Sequence, residues 1–235
     1  MKVMDSRFDV LVSTTVAALL MFSAVPGAQA QSTSSSSSSA AFSPASSAQQ
    51  ARKSAPAADA RLDPGSVSNS VYRNSGFGFT CKIPAGWVLR TEEMNAREEG
   101  NSAPDAGKAG RVLLAAFARP PQARGEDVNS SILIAAESVA AYPGLKEAGQ
   151  YFGPVTEIAK AQGFDVDGEP YEFEVGAKTL VRGDFEKDIG TRVMRQSTLV
   201  ILARGYAVSF TFIGGTVDEV EELIAGLSFG TPRAK

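Results

Sequence analysis

The chain has no histidine and one cysteine, Cys81, among its 235 residues. Without histidine there can be no Ser-His-Asp or Cys-His nucleophile, no imidazole general base and no ordinary zinc site. A lone cysteine cannot form an intramolecular disulfide, so packing must hold the fold together even in an oxidising compartment. Positive charge is also in short supply: 23 Lys plus Arg face 26 Asp plus Glu over the whole chain. Over residues 71–235 the balance is 18 against 22, a net −4, with the signs interspersed. Phosphate-tracking proteins need clustered cations, so nucleic acid is excluded as a partner and the charges read as a solvated surface. No catalytic signature appears, and no cofactor is expected.

The first 30 residues carry Lys2 and Arg7, an apolar run from Val10 to Val25, and then Ala28-Gln29-Ala30. That order is a positive n-region, a short h-region and a small-x-small cleavage site, which predicts a signal peptide over 1–30 with Gln31 as the new N-terminus. The run has 16 residues and includes Ser13, Thr14, Thr15 and Ser23. It falls short of the roughly 20 apolar residues a spanning helix needs, so no stable membrane insertion is expected after cleavage. Residues 31–70 contain 14 Ser and 9 Ala. Such a segment buries too little apolar surface to offset its conformational entropy and is expected to be a disordered linker.

What remains, 71–235, is 165 residues that suffice for one domain with a sizeable core. Phe77, Phe79, Cys81 and Ile83 alternate with polar or small residues and predict a strand with one buried face, which would make Cys81 a small buried apolar group. Pro84 ends its pairing, and Gly86 allows a turn after which Trp87 folds over the core as a lid. Residues 91–110 are polar and read as a long loop with one helical turn around Glu92 to Glu99. Its acids Glu92, Glu93, Glu98, Glu99 and Asp105 match no calcium-loop spacing. Arg111–Ala118 and Ser131–Val139 read as interior strands. Leu145, Ala148, Phe152, Val155 and Ala159 mark a helix to about Gln162, interrupted at Gly153-Pro154.

The second half reads as hairpins. Tyr171, Phe173 and Val175 alternate with Glu172 and Glu174, "GAK" turns the chain, and Leu180 to Phe185 returns. Arg192–Ala203 and Tyr206–Ile213 pair across Arg204-Gly205. Thr216 and Glu219 form a capping box opening a terminal helix with Val217, Val220, Leu223, Ile224 and Leu227 on one face.

The strand and corner "FGFTCKIPAGW", the hairpin "YEFEVGAKTLVRGDF", the strand pair "TRVMRQSTLVILARGYAVSFTFIGG" and the closing "VDEVEELIAGLSF" helix together resemble the PsbP-like superfamily over about residues 71–230. The resemblance implies an α+β domain with a central antiparallel β-sheet flanked by helices on both faces. It implies no common enzymatic activity, since characterised members mostly act by binding other proteins, and it transfers no functional residue.

Three functions are left. The first is a secreted or periplasmic noncatalytic interaction domain with a protein partner in the cell envelope. The second is a binder of a small apolar ligand through Trp87, Phe152 or Tyr206, with Trp87 the tentative partner or ligand surface. The third is a hydrolase using carboxylates alone, drawn from Glu172, Glu174, Asp184, Glu186 and Asp188. Glu172 and Glu174 alternate with apolar residues and should face water, which disfavours the third.

Overall fold

A computed structural model describes residues 62–101, 110–120, 123 and 127–230, without the side chains of 98–101. The signal-peptide residues Ala28, Ala30 and Gln31, and Asp105 of the acidic loop, lie outside the described residues. Within them, four long strands form a meander: β7 Asp165–Val175, β8 Lys178–Ile189, β9 Arg192–Ala203 and β10 Tyr206–Gly214. β6 Ser131–Ser138 pairs with β10, and β5 Gly110–Phe117 and then β4 Val88–Leu89 extend the sheet. The result is a seven-stranded antiparallel sheet in the order β4-β5-β6-β10-β9-β8-β7. With three α-helices among the described residues, the expected α+β class holds.

This sheet has a companion. A second antiparallel sheet, in the order β1-β2-β3-β11, consists of Ser66–Ser68, Val71–Asn74, Phe79–Lys82 and Leu227–Phe229. Its Tyr72, Phe79, Cys81 and Leu227 enter the same core cluster as Leu199, Val208, Phe210 and Phe212 of the large sheet. The helix α3, Val217–Ala225, adds Val220, Leu223 and Ile224 to that cluster. Neighbouring strand positions point the other way: Val200 and Ala207 pack with Phe152, Val155 and Ala159 of α2, Phe152–Ala161. Ile213 and Leu133 pack with Met94 of α1, Thr91–Asn101.

The expected linker boundary at 70 falls inside this folded segment. Asp63 accepts hydrogen bonds from the backbone of Gly65 (2.9 Å) and Gly76 (2.8 Å), which hold its carboxyl below the usual range. The Tyr72 hydroxyl donates to the Pro64 carbonyl at 2.9 Å, and the buried Asn74 donates to the Asp63 carbonyl at 2.8 Å and accepts from Phe77 N–H at 2.8 Å. These bonds fix the turn Ser75–Gly78 between β2 and β3. That turn also starts the strand two residues later than the alternation predicted, because Gly78 takes φ +72° and Phe77 swings onto the Tyr206 ring.

Other boundaries shift for local reasons. The polar stretch from Thr91 is a helix rather than a loop: Asn95 bonds both the N–H and the carbonyl of Val112 at 3.0 Å, and Glu93 takes Arg90 and Arg97. The break expected at Gly153-Pro154 lies earlier, between a 3-10 turn Ala148–Tyr151 and α2, so Pro154 sits in the first turn of α2, where its missing N–H costs nothing. Thr216 does cap α3, accepting from Glu219 N–H at 3.1 Å, but the Glu219 side chain bonds Gly215 N–H (2.8 Å) and Ser130 instead of closing the box. Val217 is 52 % exposed, and Leu227 belongs to β11 rather than to the helix.

Cys81 is fully buried between Tyr72 and Leu227, its partners across the small sheet, and burial pushes its thiol up to about 12. Trp87 follows Gly86, which takes φ +82°, and lies half-buried against the main cluster, a lid that keeps one side in water. Among the described residues no helix is long and apolar enough to cross a membrane.

Candidate functional site

A meander places alternate turns at one end of its sheet. The turn Gly176-Ala177 between β7 and β8 and the turn Arg204-Gly205 between β9 and β10 are therefore neighbours, as the register Val181↔Val200 requires. The third turn at this end is Ser75–Gly78 of the small sheet. The last two turns, with Lys178 just after the first, border a cleft of about 400 Å³ between the sheets, lined by Val208, Phe210, Phe229, Phe77 and Ile201. That volume lies within the usual range of small-molecule sites, about 300 to 1,000 Å³.

The lining is stiff below and open above. Phe210 is fully buried, with Phe79 edge-on at 4.9 Å and 81°, and Phe229 at 5.8 Å and 76°. Phe77 stacks edge-on with Tyr206 at 5.9 Å and 79°. Such contacts hold rings in one orientation and contribute about 0.5 to 1.5 kcal/mol each beyond area burial.

The charged residues of the lining are Lys178 and Arg204, both cations and both exposed. Neither has an ion-pair partner among the described residues. Arg204 also stands in an unfavoured backbone position. It takes φ +53° and Gly205 takes φ +82°, the geometry of a hairpin turn that prefers Asn or Asp at its first central residue. The comparable turn between β1 and β2 has Asn69 there, at φ +52°. A left-handed conformation costs a long L-residue about 1 to 2 kcal/mol, so the arginine at this position works against the turn's own preference.

The residues singled out from the sequence fall elsewhere. Trp87 and Phe152 do not line the cleft, and Tyr206 reaches it only by supporting Phe77. Phe152 packs on Gly183, where a Cβ would sit 2.5 Å from the ring. The carboxylates of the hydrolase reading are dispersed. Glu172, Glu174 and Asp188 are exposed, the first two on the edge strand β7. Glu186 pairs with Arg195 at 2.9 Å. Asp184 accepts from Arg182 Nε at 2.9 Å, from Tyr171 at 3.1 Å and from Ser197. Arg182 is itself buried, bonds Glu221 at 2.6 Å and lies over the Phe173 ring at 5.1 Å, so the polar cluster beneath α3 is saturated from within.

A buried acid escaped sequence reading. Glu137 stands in the apolar run of β6, is 2 % exposed, and accepts a hydrogen bond from the Tyr142 hydroxyl. Burial, the dominant effect, raises its carboxyl to about 7 against the lowering by the Tyr142 and Tyr151 hydroxyls. The Tyr151 hydroxyl is buried in the same group without a well-directed partner of its own.

No protein-family model matches the chain, and no curated protein is similar enough to match it. Among solved structures, the chain is similar to the yeast Saccharomyces cerevisiae Ran-binding protein Mog1p at 15% identity, covering 70% of this chain and 96% of that one with a TM-score of 0.37. It is similar to LpqN, involved in cell envelope biogenesis of Mycobacterium tuberculosis, at 15% identity, covering 72% of this chain and 87% of that one with a TM-score of 0.34. A Bacteroides thetaiotaomicron protein aligns at 12% identity over 71% of this chain with a TM-score of 0.35, and the chain spans 50% of its length. Likenesses this distant place neither a family nor an activity on the chain.

Proposed function

We propose that the protein is a secreted or periplasmic noncatalytic binding domain, and that the cleft between its two sheets is its binding site. The observation that carries this reading is the cleft's composition: an aromatic floor, and charged groups confined to the rim. A site of that kind holds an apolar body by burial and leaves polar orientation to its mouth. It offers no acid and base facing each other across a reacting bond, which supports binding rather than turnover. The fold is taken as PsbP-like in its layering. Supporting this, α3 shares a cluster with one set of strand positions while α1 and α2 share clusters with the alternate set.

Export rests on Lys2, Arg7, the apolar run and Ala28-Gln29-Ala30. N-terminal sequencing of protein recovered from the cell exterior or periplasm should begin at Gln31, and material beginning at Met1 would sink the export reading.

For the cleft, titration with the neutral fluorophore N-phenylnaphthylamine should give saturable one-to-one binding to the native protein. The variant Ala203→Phe fills the cleft from β9 at a half-buried position. It should weaken that binding at least about tenfold while the melting transition stays cooperative. Absence of saturable binding, or equal binding by the variant, would remove the cleft as a site.

A further inference from the structure

Resting on the reading of the cleft as a binding site, we infer that its ligand is an amphipathic anion, a hydrocarbon chain bearing one carboxylate, held by Lys178 and Arg204 above the aromatic floor. Three observations converge on this class. The inner lining of Val208, Phe210 and Phe229 offers no charged partner, so the buried part of the ligand is apolar. Both charged lining residues are cations, in a chain whose net charge is −3. No carboxylate lines the cleft to neutralise them. A chance sampling of this surface would bring acids at least as often as bases.

The two cations come from different segments of the meander, Lys178 from the start of β8 and Arg204 from the turn between β9 and β10. A guanidinium offers a planar fork to a carboxylate, and an ammonium adds a mobile point charge. Arg204 keeps its position against the backbone preference of its turn, where Asn would be the easier residue. Turn stability does not account for an arginine there, whereas an anion at the mouth would use it.

The test compares three ligands of equal chain length, each below its micellar concentration, competing against N-phenylnaphthylamine: dodecanoate, dodecanol and dodecyltrimethylammonium. Dodecanoate should bind at least about tenfold more tightly than dodecanol, and the ammonium most weakly, as expected for charge-assisted hydrogen bonds at a partly dry site. The preference should shrink with added salt. In the double variant Lys178→Gln/Arg204→Asn, the dodecanoate-to-dodecanol affinity ratio should fall to near one. Asn suits the left-handed turn, so the variant is expected to fold, and its melting transition checks this.

If the fluorophore binds in the cleft but dodecanoate and dodecanol compete equally, the inference fails while the binding site stands. If dodecanoate is preferred and the double variant keeps that preference, Lys178 and Arg204 are not its receptors and the inference fails. If nothing displaces the fluorophore, the inference also fails. If no ligand binds at all, both readings fall.

Discussion

Replacing Phe210 by alanine is expected to cost about 3 to 5 kcal/mol of folding stability, the usual loss on emptying a buried aromatic site. The ring is fully buried on β10, edge-on to Phe79 and Phe229, and so bridges the large sheet to β3 and β11 of the small one. Its removal leaves those two rings without a shared partner, and the cleft above gains volume without gaining definition. A typical domain retains about 5 to 15 kcal/mol in total, so the variant should unfold at markedly lower urea concentration. Phe173 is the control. It is half-buried and lies under the Arg182 guanidinium, so its truncation should cost clearly less. A Phe210→Ala protein within about 1 kcal/mol of the parent would mean that the sheets do not depend on this ring, contrary to the packing described.

The second large effect is a loss of stability with rising pH, driven by Glu137. Its folded carboxyl titrates near 7 against an ordinary 4.5, so between those values the folded state binds the proton more tightly than the unfolded state. The associated stability is fully present below the unfolded value and is lost as pH rises through about 7. The amount is on the order of 3 kcal/mol. Asp63 acts with the opposite sign, because its lowered carboxyl contributes stability that is present above the unfolded value and lost on acidification. The variant Glu137→Gln separates the two. It keeps an oxygen for the Tyr142 hydroxyl but cannot ionise. Urea denaturation at about pH 5 and about pH 8 should show the parent losing on the order of 3 kcal/mol that the variant retains. Parallel pH profiles for the two proteins would show that Glu137 is not the group responsible.

Legibility followed the length and regularity of each element. The strands β5 to β10 are long, alternate or run apolar, and are punctuated by Gly-containing turns, so local pattern and tertiary structure agree. In the small sheet β3 alternates and is legible, but β1 and β11 are three residues each and so few positions cannot establish a period. Leu227 in particular continues the helical spacing of α3, and only its pairing with Cys81 shows that the helix has ended. The helix α1 lacks an apolar stripe, burying Met94 and otherwise relying on Asn95 and its arginine-glutamate contacts. Lys178 and Arg204 were legible as turn residues but not as a pair. Their adjacency follows from meander topology, which places alternate turns together and could have been drawn from the strand order alone. Glu137 was hidden by its neighbours, because an acid inside "SILIAAES" gives no local sign that its own face is covered as well.

The pairing of β3 with β11 also sets an order in time. Phe79, Thr80 and Cys81 align with Phe229, Ser228 and Leu227, so β3 must wait for a segment that follows it far along the chain. Contacts this distant along the chain form late, because loop closure must precede any gain from them. Until then the edge of β3 is bare, and its inward phenylalanine and cysteine lack the strand that covers them. Phe229, which forms one wall of the cleft, arrives in the same step. A chain folded only as far as α3 therefore lacks one wall of the cleft, and the cleft is complete only after β11 has docked on β3.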